Sequence, residues 1–475
     1  MPRSLFLTTA VLGLLAGCAT VPDLGTKPVP APAESFASSA SLAGTQGEWP
    51  TEGWWTGFGD AQLDSLIAEG LKGAPDVAIA AARVRAADGF AERAGAALLP
   101  RVGAEASAGG VQQSKNLGIP PQFVPNGIQD TGHIAATFSF DLDLWGRNRA
   151  ALAAAASEAA AARVDAAQAR LMLTTGIASA YADLANYHAA RDVANDAVRV
   201  RSASATLSGE RARAGLENQS NQRQAESRVA SSRADVVALD EAIALTHNRL
   251  AALIGAGPAR GLSIARPQLA RPPVGLPVGA GIDLVGRRPD IVAARLRAEA
   301  AAKRIDVARA DFYPNISLSA LVGLQSLGLS NLFSAGSEYG NGGAAISLPI
   351  FDGGRLQGSY RGARADYDVA VATYDKTLIG ALRDVADIAA SRAATERQLA
   401  GRRDALAAAA EGAKLAGLRY RAGLSNQIDQ LTAEDSMVAL SRAVADLEAR
   451  QLSLDIALIR ALGGGYRAAN PTGDK

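Results

Sequence analysis

Arg213-Ala214-Gly215-Leu216-Glu217-Asn218-Gln219 returns as Arg421-Ala422-Gly423-Leu424-Ser425-Asn426-Gln427, about 208 residues later, and this interval decides the architecture. The same offset carries Ile254-Gly255 onto Leu462-Gly463 and sets Arg147 opposite Arg355, where each copy of an Ala-rich helical stretch begins. Upstream the register changes slightly. Pro75-Asp76-Val77 matches Pro289-Asp290-Ile291, and Leu99-Pro100-Arg101-Val102 matches Tyr313-Pro314-Asn315-Ile316, both about 214 residues apart. The difference of about six residues falls between Pro100 and Arg147, where Gly118-Ile119-Pro120-Pro121 and Pro125-Asn126-Gly127 have the composition of a surface loop. Each half therefore reads short helix, extended segment, loop, extended segment, very long helix, Ala-Gly turn, long helix. That order excludes the common alternating strand and helix enzymes, and a duplication of this length points to a symmetric structural object.

Two lengths set the scale. Arg147 to about Ala212 and Arg355 to about Tyr420 are each roughly 66 residues, or about 99 Å as helix. Their mates, Leu216 to about Leu253 and Leu424 to about Leu462, are roughly 38 residues, or about 57 Å. Helices this long suggest a coiled coil, a stalk or a wall rather than a compact core. Ala150 to Ala162 is almost wholly Ala, which permits close helix approach, while Arg163, Asp165, Arg170 and Asp183 supply wet positions. At the two turns Gly215 and Gly423 suit a positive φ where antiparallel helices meet. Ordinary hairpin chemistry explains those glycines. The longer shared string makes Arg213, Gly215, Leu216, Arg421, Gly423 and Leu424 candidate contacts for a partner that docks twice.

No segment after the leader has an apolar run of spanning length, so any membrane insertion must use strands. Four stretches alternate with period two. His133 to Leu144 sets Ile134, Ala136, Phe138, Phe140, Leu142 and Leu144 against Thr137, Ser139, Asp141 and Asp143. Asn315 to Leu324 and Ala344 to Ile350 alternate similarly, and Arg101 to Gly109 does so weakly through Val102, Ala104, Ala106 and Ala108. Such runs suit barrel strands with one lipid face and one wet face, or else a soluble sheet of two hairpins. Four strands cannot close a transmembrane barrel alone, so a membrane reading requires several copies to share one.

The first residues carry a leader. Arg3 precedes an apolar core from Leu5 to Leu15, followed by Leu15-Ala16-Gly17-Cys18. This core is too short to span a bilayer. The box resembles the bacterial lipoprotein processing site, in which the Cys becomes the acylated first residue; the alternative is a secretory leader before an incidental Cys. Ala19, rather than Asp, follows, which by known sorting rules favours the outer membrane. Pro, Ala, Ser and Gly dominate from Ala19 to about Trp49 and read as an extended tether. Beyond it, Trp54-Trp55-Thr56-Gly57-Phe58-Gly59-Asp60 precedes Leu63, Leu66 and Ile67, with Asp60 placed to cap the first helix.

Composition narrows the function classes. The chain has 475 residues, with 48 Lys plus Arg against 47 Asp plus Glu and a net charge of +1, so there is no electrostatic case for nucleic acid. His133, His188 and His247 are far apart in sequence and the single Cys sits in the leader, so neither a metal nor a thiol centre is expected, and no catalytic spacing is recognised.

In this order, several motifs resemble the outer-membrane factor family, the lipid-anchored exit channels of bacterial multidrug efflux systems. They are Leu15-Ala16-Gly17-Cys18, Trp54-Trp55 with Phe58 and Asp60 to Leu63, Arg287-Arg288-Pro289-Asp290-Ile291, and Ala308-Arg309-Ala310-Asp311-Phe312-Tyr313-Pro314. Leu348-Pro349-Ile350-Phe351-Asp352-Gly353-Gly354-Arg355 and Tyr420-Arg421-Ala422-Gly423 complete the set. The resemblance implies a mixed α/β membrane protein that forms a homotrimer. Each protomer would give four strands to a twelve-stranded β-barrel and its long helices to a periplasmic α-helical barrel. It also implies a periplasmic adaptor, an inner-membrane pump and outer-membrane lipid as partners, with no cofactor beyond the lipid on Cys18.

On this reading residues 1–17 are the signal peptide, 18–50 the tether, 51–100 the first helices and equatorial region, 101–146 the first hairpin and 147–255 the first helical hairpin. Residues 256–283 are then the linker and equatorial region, 284–312 the second-repeat helix, 313–354 the second hairpin, 355–463 the second helical hairpin and 464–475 the tail. Arg288, Pro289, Asp290, Pro314, Gly353 and Gly354 read as architecture: Pro289 fits the first helical position and Asp290 the positive helix end, with Arg287 and Arg288 outside. Leu276 to Leu284 is looser than the family's usual run. Asp429, Leu431 and Ala433 keep the family's Asp-x-Leu-x-Ala spacing, and Asp429, Glu434 and Asp435 are candidates for a periplasmic aperture, or else solvated acids on a helix exterior. The expected activity is passive conduction of drugs or other small toxic compounds. Protein or peptide secretion and a poreless coiled-coil scaffold are the alternatives.

The leader generates the first prediction. Mass spectrometry of the membrane-extracted protein is expected to find a lipidated Cys18 at the N-terminus, whereas an intact Met1 terminus in the native host would contradict the processing assignment.

Overall fold

The structure is a computed structural model that describes residues 20–36, 46–116, 118–272 and 274–468; Cys18 lies outside them. Helices α1 (Ala61–Gly73) and α2 (Pro75–Ala96) lead to strands β1 (Arg101–Val111) and β2 (Gln129–Leu142), then to α3 (Arg147–Arg213) and α4 (Gln219–Leu253). A short α5 (Pro258–Gly261) and α6 (Ala280–Arg287) precede the second copy. It runs α7 (Pro289–Ala310), β3 (Asn315–Leu327), β4 (Glu338–Ser347), α8 (Arg355–Arg421) and α9 (Gln427–Ala461). Helices α3 and α8 are each 67 residues long, and α4 and α9 each 35. No helix among the described residues is long and apolar enough to cross a membrane.

The chain forms two compact units. One comprises the described part of Met1–Pro30 with Val84–Ala161 and Ala294–Tyr374. It contains a four-stranded antiparallel sheet in the order β1-β2-β3-β4, in which the β2-β3 pair joins the two repeats. Phe138 lies opposite Val102 and Ala320, so the apolar set of three strands shares one face, while Thr137, Ser139 and Ser319 lie on the other. The strand expected at Ala344 to Ile350 instead ends at Ser347 and starts at Glu338. Pro349 has no N–H for the ladder, and the Gly340 to Gly343 stretch has no apolar alternation to betray it. The longer first loop, residues 112–128 against 328–337, absorbs the register change between the repeats.

In the same unit Ala298, Ala301 and Ile305 of α7 pack on Tyr367 and Val371 of α8, and Arg147 pairs with Asp311 at 2.6 Å. An extended N-terminal segment is tied to α8. Buried Arg364 donates to the carbonyls of Gly25 and Thr26, and the Tyr367 hydroxyl donates to Pro28 O at 2.9 Å.

The other unit comprises Ala31–Arg83, Ala162–Ala293 and the described part of Asp375–Lys475. Its core gathers Phe58, Leu66, Ile67, Ile177, Tyr181, Leu184, Leu250, Ile254 and Ile459. Each fully buried aliphatic side chain there contributes about 1.5–3 kcal/mol. Asp60 caps α1, as the sequence suggested, by accepting from Gln62 N at 2.9 Å. It also accepts from the Tyr181 hydroxyl and from Gln268 N, which draws the inter-repeat linker onto α1. Burial opposes ionisation of Asp60, but these donors outweigh it and hold the carboxyl below its usual range.

The duplication reappears as a repeated close approach. Gly255 abuts the Gly73-Ala74 backbone, and Gly463 abuts the Arg287-Arg288 backbone; an added Cβ would lie 2.3 Å from Gly73 O and 1.9 Å from Arg287 O. Only glycine fits where the end of a repeat's last helix meets the start of its Pro-Asp helix.

His188 and His247 belong to this unit, and burial pushes both imidazoles down, aided at His188 by Arg266, His247 and Arg191. Among the described residues no three His, Cys, Asp or Glu side chains gather as a metal site.

A buried carboxylate fixes the linker. Asp455 on α9 is fully buried and lies 2.7 Å from Arg271 of the linker and 2.9 Å from Arg392 of α8, which also donates to Val274 O. Replacing Asp455 with Ala leaves two guanidinium groups without their counter-charge, and an expected loss of about 3 kcal/mol. Thermal unfolding followed by circular dichroism checks this, with Asp455→Asn losing less because one acceptor remains.

Candidate functional site

The two helix turns are built alike. Gly215 N donates to Ala212 O at 3.1 Å and Leu216 N to Arg211 O at 2.8 Å; Gly423 N and Leu424 N repeat both bonds to Tyr420 O and Arg419 O at 3.0 and 2.8 Å. This pair of bonds satisfies the last carbonyls of a helix and needs a left-handed residue, here Gly215 at φ 72° and Gly423 at φ 73°. The next helix then starts at an Asn. Asn218 Oδ1 accepts from Asn221 N at 3.0 Å and Asn426 Oδ1 from Asp429 N at 2.9 Å. The sequence reading missed these caps, although both Asn sit at the same offset as the glycines; they also delay α4 and α9 to Gln219 and Gln427.

Arg213 and Arg421 each use Nε to donate to the carbonyl four residues back, Gly209 O at 3.3 Å and Gly417 O at 3.2 Å. Most of the recurring string is thus turn chemistry. What turn chemistry leaves unexplained is Leu216 and Leu424, 68% and 71% exposed at the two tips.

The equivalent tips have different neighbours. Gln219 is exposed, whereas Gln427 is buried against the Ser208 hydroxyl of α3. The Tyr420 hydroxyl donates to Glu217 Oε1 at 2.8 Å, with the Arg211 guanidinium 4.6 Å from the ring centre. Burial pushes the Tyr420 phenol up, and the neighbouring Glu217 carboxylate pushes it further.

The three acids proposed from sequence do not act alike. Asp429 is exposed. Glu434 is buried, accepting from the Ser204 hydroxyl at 2.6 Å and from Gln430 Nε2 at 2.8 Å. Asp435 is held between Arg201 and Arg228, both at 2.6 Å. Ser204, Arg201 and Arg228 were invisible to sequence reading, because only folding brings α3 and α4 against α9.

Pro289 opens α7. Arg288 does not stay outside: it grips Asp290 at 2.6 and 3.0 Å and donates to Ala461 O at 3.3 Å, because the end of α9 lies beside it. Arg287 sits over the Trp49 ring at 4.4 Å. Pro314 O accepts from Trp145 Nε1 at 2.8 Å, and Trp145 stacks on Tyr313 at 4.8 Å. Gly353 and Gly354 take φ 67° and 90° while Asp352 caps α8 through Leu356 N at 2.9 Å; Asp143 does the same for α3 through Asn148 N.

Comparison with known proteins places this geometry. The profile of the family described as outer membrane efflux protein matches residues 66–256 and 283–464, one stretch in each repeat. The chain belongs to that family. It is an outer-membrane protein and not an enzyme. It is 38% identical over 367 residues to the fusaric acid resistance protein FusA of Burkholderia cepacia, covering 75% of this chain and 68% of that one. It is 30% identical over 491 residues to the multidrug resistance outer membrane protein MdtP of Escherichia coli O6:H1, covering 98% of both. Among solved structures, the outer membrane protein VceC of Vibrio cholerae superposes with a TM-score of 0.84 at 41% identity, over 88% of this chain and 100% of that one. Long helices joined to a small sheet are therefore the fold of the family.

Space is open around both tip glycines, so only their φ resists a side chain. Gly215→Val and Gly423→Val are each expected to cost about 1–2 kcal/mol locally. Hydrogen exchange at the Leu216 and Leu424 amides checks this: about tenfold faster exchange for Val, and little change for Asn, which tolerates the left-handed region.

Proposed function

We propose that the chain is the exit channel of a tripartite efflux system, conducting drugs or other small toxic compounds passively across the outer membrane. Three copies would close a twelve-stranded barrel and line a periplasmic helical barrel; a periplasmic adaptor and an inner-membrane pump complete the path. The observation that carries this reading is the sheet. Its faces divide into apolar and polar, its outer strands β1 and β4 keep one unpaired edge each, and all of β1 is exposed. Open edges are not tolerated in lipid, so closure by further copies follows from a membrane location. Trp145 and Tyr313, at the base of the sheet, fit an aromatic girdle.

The remaining assignments follow the same reading. Acylated Cys18 would anchor the tether of residues 18–50. Residues 51–100, with the first helices, and the linker 256–283 would supply the equatorial region, and 464–475 would be the tail. Exposed Leu216 and Leu424, with Arg213, Gly215, Arg421 and Gly423 around them, would meet the adaptor. Of the three acids, exposed Asp429 suits an aperture directly, while Glu434 and Asp435 would act there only if their present partners released them.

Native mass measurement in mild detergent is expected to give a trimer, and planar bilayers to show its conductance. Arg213→Glu and Arg421→Glu at equal trimer levels are expected to lower adaptor crosslinking and raise drug susceptibility. Normal crosslinking and transport by these variants would leave the tip arginines with the helix-end bond alone as their role.

A further inference from the structure

The polar face of the sheet carries one group of titratable side chains to which conduction assigns no task. Glu105 of β1, His133 of β2 and Tyr339 of β4 converge, although they come from three strands. The register explains how. Glu105 pairs with Ala135, one diagonal step from His133; His133 lies opposite Ser107 and Gln325; and Tyr339 lies opposite Gly323. Because Gly323 has no side chain, the Tyr339 ring can lean across β3 toward β2. The His133 and Tyr339 rings are 5.5 Å apart at 53°, Nε2 of His133 contacts the Tyr339 hydroxyl, and the same Nε2 is 3.8 Å from Glu105 Oε1. The His133 side chain keeps 24% exposure and Glu105 keeps 56%, so solvent and solute reach both.

We infer that His133 is a switchable charge on the wall of the barrel, and that with Glu105 it sets the preference of the channel between cationic and anionic solutes. This rests on the conduit reading, in which the polar face lines the lumen. With a neutral imidazole hydrogen-bonded to Tyr339, the group carries only the Glu105 carboxylate and attracts cations. A protonated imidazole beside that carboxylate cancels its charge. Imidazole is the side chain whose charge ordinarily changes between about pH 5 and 8, and rings of fixed charge set ion preference in pores. The other charged groups on this face by alternation are Arg101 of β1 and Asp141 of β2; β3 offers none, and β4 only Tyr339. None of these carries an imidazole, the side chain whose charge ordinarily changes in that range. The switch therefore belongs to His133.

The test is the potassium-to-chloride permeability ratio of the full-length channel in planar bilayers, from reversal potentials at pH 8 and pH 5.5. In the wild type the ratio should fall roughly fourfold for each protomer that gains a proton, because one unit charge about 10 Å from a permeating ion in water lowers the potassium term and raises the chloride term by about twofold each. His133→Gln should hold the higher ratio at both values, His133→Lys the lower ratio at both, and Glu105→Gln should start low and move further toward anions in acid. Variants are compared at equal trimer content. If His133→Gln conducts and follows the wild-type change with pH, the inference is overturned and the conduit reading survives. A wild-type trimer that does not conduct overturns both.

Discussion

Four antiparallel strands leave two rows of backbone N–H and C=O groups without partners, and in hydrocarbon each such group costs several kcal/mol. The rest of the structure depends on this constraint. A sheet whose faces divide into Ile134, Phe138 and Leu318 on one side and Thr137, Ser139 and Ser317 on the other is suited to a boundary between lipid and water. It cannot occupy that boundary until its edges are paired. On the proposed reading the protomer is therefore an incomplete object, and its long exposed elements are surfaces that other copies would cover.

Duplication produces that sheet economically, because the β2-β3 pair is the seam between repeats and each repeat needs to encode only one hairpin. The two copies agree where backbone geometry leaves no choice. Gly215 and Gly423 take nearly the same φ, Asn218 and Asn426 make the same cap, and Gly255 and Gly463 meet the backbone ahead of their Pro-Asp helices. They differ where side chains meet neighbours, as exposed Gln219 and buried Gln427 show. A repeat conserves its turns and varies its contacts because turns are local and contacts are not.

The second unit combines two kinds of interior. Around Ile177, Tyr181 and Leu250 it is apolar and dense, and stability there scales with buried area. Toward the turns the interior becomes polar, with Ser204, Gln430 and Glu434 bonded together and Asp435 shared by two arginines. Such a network depends on every partner being present, since a buried polar group without one costs about 1–3 kcal/mol.

The sequence by itself determined what period and local geometry encode: the duplication, the helix lengths, the Gly turns, the Asp60 cap, three of the four strands within a few residues, and the family. It misplaced β4, because the Gly340-Asn341-Gly342-Gly343 run offers no apolar alternation, and Leu348 and Ile350, which continue the period of Ile346, lie beyond the strand on either side of Pro349. It could not place Arg288 on Asp290 and Ala461, Asp455 between Arg271 and Arg392, Glu434 against Ser204, or His133 beside Glu105 and Tyr339. Most of those partners are more than 150 residues apart in the chain or come from different strands. Their meeting depends on which faces the helices and strands turn toward one another, and only the tertiary structure decides that.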